Sequence, residues 1–337
     1  MKKTYENLQL LRYLAAVGVV LFHTTGAYIS THSSNTVNGF SWGAKGVDLF
    51  FVISGFVIAT SYLNNPRPPI QFAINRISRI APSYWLLTLA ALFVGLFISV
   101  GGAPKVNQGQ LVLWRVASFT FTAHAVGFPN PVLYQGWSLE YEMFFYAIFA
   151  LALYSGLKGK SLLVIVGLIV FLATIIPNFS ITAIGFVIGL VLAAIHHEIS
   201  PGATAQWSAL AGLTICTVLL SSARLEDSQV KEFAWLCAFG CLVFLAVRLP
   251  KLRGNWVLRL GSASYPIYLL QWFTIPALSK AEARFSTLSQ GESYVVLMCC
   301  SIVVTTTAGL LWDRYVDKHI SFWTKGQLST RFERSLT

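Results

Sequence analysis

Apolar runs of about 20 residues recur along the whole chain, separated by short polar punctuation, and no other feature restricts the possible folds so strongly. A run of that length crosses a hydrocarbon core about 30 Å thick as one helix, and in lipid a helix satisfies its own backbone hydrogen bonds. A transmembrane barrel would instead show alternating segments of about ten residues. Composition agrees: 55% of the 337 residues are hydrophobic and 11% are charged, whereas soluble domains carry about 25% charged residues. The formal charge of +11 raises the question of nucleic acid. The Lys and Arg residues sit between apolar runs, however, with no compact basic face and no interleaved aromatics, so the charge encodes topology and no nucleic-acid partner is expected.

The chain is therefore expected to be all-α, a polytopic bundle embedded in the lipid bilayer. About ten spans are expected, over residues 11–30, 46–63, 81–101, 136–155, 161–176, 181–196, 207–222, 232–247, 260–278 and 293–311. The spans at 161–176 and 181–196, hinged at Pro177, are short for a full crossing. Residues 1–311 form the transmembrane domain and 312–337 a short cytoplasmic tail. Lys2 and Lys3 followed by an apolar stretch resemble a signal peptide, but Arg12 and His23 interrupt the stretch, which favours an uncleaved first helix. Of the 24 Lys and Arg residues, 17 fall on the side that holds the N-terminus and seven on the other, which places both termini in the cytoplasm. Cys216, Cys237, Cys241, Cys299 and Cys300 all fall inside spans with no metal-type or disulfide spacing, and so read as packing residues. The longest outer loop, 102–135, leads directly into Trp137-Ser138-Leu139-Glu140-Tyr141-Glu142.

Titratable side chains at membrane depth cost several kcal/mol unless paired or hydrated, so each is a functional candidate. Arg12 and His23 are eleven residues apart, which returns to within about 20° of one helix face and sets His23 about 16 Å deeper. An imidazole at that depth suits a general base, and equally suits a hydrogen bond in helix packing. Asp48 opens the second span, where a carboxylate either caps the helix or contributes to a site. Arg76 and Arg79 are three apart and share a helix face, a pair suited to phosphate or to anchoring at the membrane rim. Glu140 and Glu142, two apart on a helix, point about 160° from each other, so both cannot serve one site. Trp137, Tyr141 and Phe144 form an interfacial aromatic face. His196-His197-Glu198 superficially suggests metal, but adjacent histidines do not share a face, and the triplet reads as a solvated helix end; no metal site is expected.

Read together, five segments resemble the membrane-bound acyltransferase family 3, and within it bacterial exopolysaccharide O-acetyltransferases. They are Leu11-Arg12 through Leu21-Phe22-His23, Gly46 through Phe56, Arg76-Ile77-Ser78-Arg79-Ile80-Ala81-Pro82, Gly136 through Tyr146, and Leu260 through Leu270. The resemblance implies an enzyme of the bacterial plasma membrane with no bound cofactor. It implies acyl-CoA, chiefly acetyl-CoA, as co-substrate and a carbohydrate hydroxyl as acceptor. The family's Arg-ten residues-His pattern falls on Arg12 and His23, and its paired arginines on Arg76 and Arg79. Its acidic position falls on Glu142, beside Trp137, Ser138 and Tyr141 on the acceptor side. Where many members carry His after the Tyr-Leu pair of the ninth span this chain has Gln271, and the additional soluble domain of longer relatives has no counterpart here.

The implied chemistry has Arg76 and Arg79, with Arg12, holding the CoA phosphates while His23 deprotonates the sugar hydroxyl. Glu142 or Asp48 would fix the tautomer of His23, and an acyl-His route stays open. Two other classes share the residue pattern. A proton-coupled transporter also uses intramembrane His, Glu and Arg, and a membrane scaffold would merely pack them. The sequence carries no signal for oligomeric state.

Overall fold

A computed structural model describes residues 5–32, 40–95, 107–177, 179–196, 198, 203–221, 228–250, 252 and 254–336. These residues are almost entirely helical, and no strand occurs among them. The far end of the 81–101 segment, the start of the 102–135 loop, His197, Arg224, Lys251 and Arg253 lie outside the described residues.

Every expected span contains a helix. These are α1 (Glu6–His32), α2 (Gly46–Asn64), α3 (Pro69–Gly95), α5 (Gly136–Tyr154), α6 (Gly159–Ala173), α7 (Ile184–His196), α8 (Ala203–Ser221), α9 (Ser228–Arg248), α10 (Asn255–Phe285) and α11 (Gln290–Trp312). Among the described residues, five segments are long and apolar enough to cross a membrane by length and composition: Glu6–His32, Ser41–Asn64, Pro69–Gly95, Gln229–Arg248 and Gln290–Phe332. For four of the other five expected spans the shortfall has a physical cause. At about 1.5 Å per residue, the 15 residues of α6 and 13 of α7 fall short of a 30 Å core. In α5 the apolar character is diluted by Glu140 and Glu142, and within the expected span of α10 by Ser262, Ser264, Pro266, Gln271 and Pro276.

Two helices lie outside the expected spans. α4 (Gln108–Phe119) sits within the long loop, its first turn closed by reciprocal hydrogen bonds between Asn107 and Gln110 of 2.9 and 3.1 Å. α12 (Lys318–Leu336) continues α11 through a π-helical turn, Asp313–Asp317, so the region expected as a tail is helical through Leu336. α3 begins at Pro69 rather than at 81, with Pro82 inside the helix and not at its start.

The chain divides into two compact units. The first comprises residues 1–15, 44–69 and 147–262. Its core is the packing of α2 on α7, made close by glycine: a Cβ at Gly189 would lie 2.3 Å from the Val52 carbonyl oxygen, and one at Gly55 2.3 Å from that of Phe186. Small residues that admit such backbone contact are a common basis of helix association in lipid. Asp48 is 3% exposed in this unit, 3.6 Å from Lys45, which also pairs with Glu232 of α9. His196 is packed as well as solvated, its ring meeting Phe56 and Tyr5 edge-on at 5.6 and 6.1 Å, while Glu198 pairs with Lys160 on the surface.

The second unit comprises residues 16–43, 70–146 and 263–337. Here Trp114, Ala117, Ala123 and Phe128 form a small core beneath the loop that precedes α5. Trp114 Nε1 donates to the Asn130 carbonyl at 2.7 Å, and the Val132 N–H donates to Ser118 Oγ at 2.9 Å, so the loop is a folded element. The hydroxyl of Tyr265 on α10 donates to the Ile80 carbonyl of α3 at 2.7 Å, and Trp312 Nε1 donates to Ser83 Oγ at 3.2 Å.

Candidate functional site

The second unit holds a half-open cavity of about 870 Å³. His23 of α1, Tyr134 and Gln135 at the entry to α5, and Gln271, Trp272 and Lys280 of α10 line it, with Phe22, Val94 and Phe273 among the apolar walls. Its size falls within the range of small-molecule sites, about 300–1,000 Å³, and so does its mix of aromatic surface with a few polar groups.

Each polar group is placed by local structure. α1 is one continuous helix through His23, whose ring meets Tyr134 edge-on, centroids 5.9 Å apart, and Phe22 at 5.1 Å. Leu133-Tyr134-Gln135-Gly136 turns sharply into α5: the Gly136 N–H donates to the Leu133 carbonyl at 2.8 Å and the Trp137 N–H to that of Tyr134 at 3.2 Å. Glycine is required at 136, because a Cβ there would lie 2.4 Å from the Tyr84 hydroxyl. Gln271 donates through Nε2 to the Tyr268 carbonyl one turn earlier at 2.8 Å.

The two acidic residues of α5 separate as their spacing requires. Glu140 turns to the preceding loop, where its oxygens accept from the N–H groups of Ala123 and His124 at 3.1 and 3.0 Å, and His124 Nδ1 lies 3.3 Å away. Its role is architectural. Glu142 accepts a hydrogen bond from the Tyr146 hydroxyl. The Arg76 guanidinium sits 5.7 Å from the centre of the Tyr146 ring and 5.4 Å from that of Phe72, within electrostatic reach of Glu142. Arg76 Nε is buried without a hydrogen-bond partner, and Arg79, one turn on along α3, is exposed with Asp317 in electrostatic reach. α3 is helical through this stretch, so the two arginines are neighbours on one face.

The structure thus gathers His23 with Tyr134, Gln135 and Gln271, and Arg76 with Tyr146 and Glu142, all inside the second unit. Among the described residues no carboxylate is hydrogen-bonded to the ring of His23. Arg12 and Asp48 belong to the first unit. Trp137, Ser138 and Tyr141 do not line the cavity: Trp137 packs edge-on against Tyr141 at 6.1 Å, and Ser138 Oγ shares a 2.9 Å hydrogen bond with the Tyr268 hydroxyl. Sequence reasoning missed Tyr134, Gln135 and Tyr146. A search that extended from ionisable residues to uncharged polar ones beside apolar runs would have found them, since a lone amide in lipid is also costly.

Comparison with known proteins places this arrangement among enzymes. Residues 5–312 match the family model described as an acyltransferase domain. The chain is 32% identical over 276 residues to the exopolysaccharide production protein ExoZ of Rhizobium meliloti, covering 74% of this chain and 82% of that protein. It is 27% identical over 187 residues to the peptidoglycan O-acetyltransferase OatA of Listeria monocytogenes, covering 50% of this chain and 28% of that protein. No solved structure matches. The match across nearly the whole chain and the cavity built around His23 lead to one conclusion: the protein is a multi-pass membrane member of the acyltransferase family.

Proposed function

We propose that the protein moves an acyl group, acetyl in the simplest case, from acyl-CoA to a hydroxyl of an extracytoplasmic carbohydrate such as an exopolysaccharide, an O-antigen or a lipid-linked saccharide. The observation that carries this reading is the imidazole of His23 on the wall of a cavity large enough for a sugar and the end of a thioester. The names of the two relatives, one concerned with exopolysaccharide and the other with O-acetylation of peptidoglycan, support a carbohydrate acceptor.

In this mechanism His23 takes the proton of the acceptor hydroxyl, and the oxygen attacks the thioester carbonyl carbon. The C–S bond breaks, the imidazolium returns its proton to the departing thiolate, and an ester and free CoA result. Arg76 and Arg79 bind CoA phosphate, the guanidinium of Arg76 held in place by Phe72 and Tyr146. Glu142 tunes Arg76 through Tyr146. All ten apolar segments cross the plasma membrane in this reading, with both termini cytoplasmic, which the 17-to-seven partition of Lys and Arg supports.

The test is turnover of labelled acetyl-CoA by the purified protein with a carbohydrate acceptor. His23→Ala should abolish labelling of the acceptor at undiminished folded yield, and retained turnover would reject the mechanism. Arg76→Ala and Arg79→Ala should raise the KM for acyl-CoA about tenfold or more while leaving that for the acceptor unchanged. Movement of the saccharide across the membrane without ester formation would make the protein a transporter instead.

A further inference from the structure

We propose that Gln135 and Gln271 bind the acceptor, each side-chain oxygen accepting a hydrogen bond from a hydroxyl of the sugar. The inference rests on the acyl-transfer reading of the cavity and names the residues by which that cavity recognises its second substrate.

The two residues are 3% and 1% exposed, both line the cavity, and in both the carboxamide oxygen is buried without a hydrogen-bond partner. Buried polar groups are almost always paired, so two orphan acceptors on the walls of one cavity are a pattern that needs a cause. Gln271 is held by its side chain and Gln135 by its backbone. The Nε2 group of Gln271 is held on the Tyr268 carbonyl at 2.8 Å, which fixes its carboxamide. The Gln135 main-chain carbonyl lies 3.3 Å from the hydroxyl of the same tyrosine and 3.2 Å from Ser138 Oγ, one of the two hydroxyls donating to it while the other donates to its neighbouring hydroxyl. Tyr268 therefore fastens one glutamine through its backbone and the other through its side chain.

The chemistry of the walls selects the ligand. Carboxamide oxygens need donors, and a sugar hydroxyl supplies a donor while keeping an acceptor lone pair for other partners. An anion would set acceptor against acceptor at both glutamines, so these two oxygens meet hydroxyls, and an acidic group elsewhere on the sugar would fall to Lys280. Among the described residues no Asp or Glu lines the cavity, and a cationic acceptor finds no carboxylate partner in them. Tyr134, 41% exposed, and Trp272 add flat apolar faces for the C–H side of a pyranose ring. The amide N–H groups of a pantetheine arm are the other donors that the proposed reaction brings, and kinetics separate the two.

Gln135→Met and Gln271→Met keep side-chain length and remove the oxygen. The probes are acetyl-CoA and oligosaccharides prepared from the exopolysaccharide of the source cells, stripped of ester by mild alkali. Each variant should raise the KM for the oligosaccharide about tenfold, the effect of one lost hydrogen bond to a site built to receive it, with the KM for acetyl-CoA unchanged. The melting temperature of Gln135→Met should stay the same or rise, because an orphan acceptor has been removed, whereas a purely structural role predicts a fall; Gln271→Met also gives up the Nε2 bond to the Tyr268 carbonyl, so its reading is the split between the two KM values. An unchanged oligosaccharide KM in both variants, or a rise confined to acetyl-CoA, overturns the inference while the acyl-transfer reading stands. Absence of oligosaccharide-dependent acetyl-CoA consumption by the unaltered protein overturns the acyl-transfer reading, and the inference with it.

Discussion

Replacement of Gly189 by alanine tests the packing of the first unit most directly. The added Cβ would lie 2.3 Å from the Val52 oxygen, 2.5 Å from the Phe56 nitrogen and 2.9 Å from the Gly55 carbonyl carbon. Ordinary contact begins near 3.4 Å, and all three atoms are backbone, so no rotamer change relieves the overlap. α7 must draw back from α2 by about 1 Å, and a gap of that size forfeits a quarter to a half of the dispersion energy across the contact. Overpacking of this kind costs about 1–3 kcal/mol, and the rigidity of the obstacle places Gly189→Ala toward the top of that range. Gly55→Ala, aimed at the Phe186 oxygen from the opposite helix, should cost a similar amount. Because either substitution already parts the helices, the double variant should lose less than the sum of the two. Gly291→Ala, which meets nothing within 4 Å in the first turn of α11, should be neutral or slightly stabilising. Unfolding by SDS titration in mixed micelles measures all four. Strict additivity of Gly55→Ala and Gly189→Ala, or losses no larger than that of Gly291→Ala, would refute the close-contact account.

Two further outcomes follow from buried charge. Lys45→Met should destabilise the first unit by about 3–5 kcal/mol by leaving Asp48 without its cation, and Lys45→Met with Asp48→Asn should recover much of that loss in the same titration. Glu140→Gln weakens two hydrogen bonds to loop amides, so thermal unfolding of the second unit should fall by about 1–3 kcal/mol while the KM for acyl-CoA is unaltered; an altered KM would place Glu140 in the donor site.

The helices were legible because lipid enforces a length and a composition that water does not. Boundaries failed where polarity resembled a loop. Asn75-Arg76-Ile77-Ser78-Arg79 lies well inside α3, since arginine stems can ride a helix surface while their heads reach polar partners. α4 was written in the chain as Asn107 and Gln110, an N-cap and its reciprocal partner, yet the neighbouring prolines and asparagines suggested only a loop. The divergence of Glu140 and Glu142 was readable from helical phase alone. The resemblance set the family's acidic position on Glu142, but the architectural partner of Glu140 was not readable, because the loop amides that bind it reach it only through tertiary folding. Gln135 was hidden for the same reason: its importance comes from a cavity shared with α10, more than a hundred residues away.

The contact of α2 with α7 also constrains how the protein is made. Four helices separate the two in the chain, so α2 leaves the ribosome and enters lipid long before the partner that fits its glycine face exists. Asp48, at the head of α2, meets Lys45 at once but must wait for Thr182 and Glu232. The nascent first unit thus passes through a stage with an uncovered notch and a half-satisfied carboxylate, a stage at which membrane chaperones and proteases would meet a chain that synthesis has not yet let close.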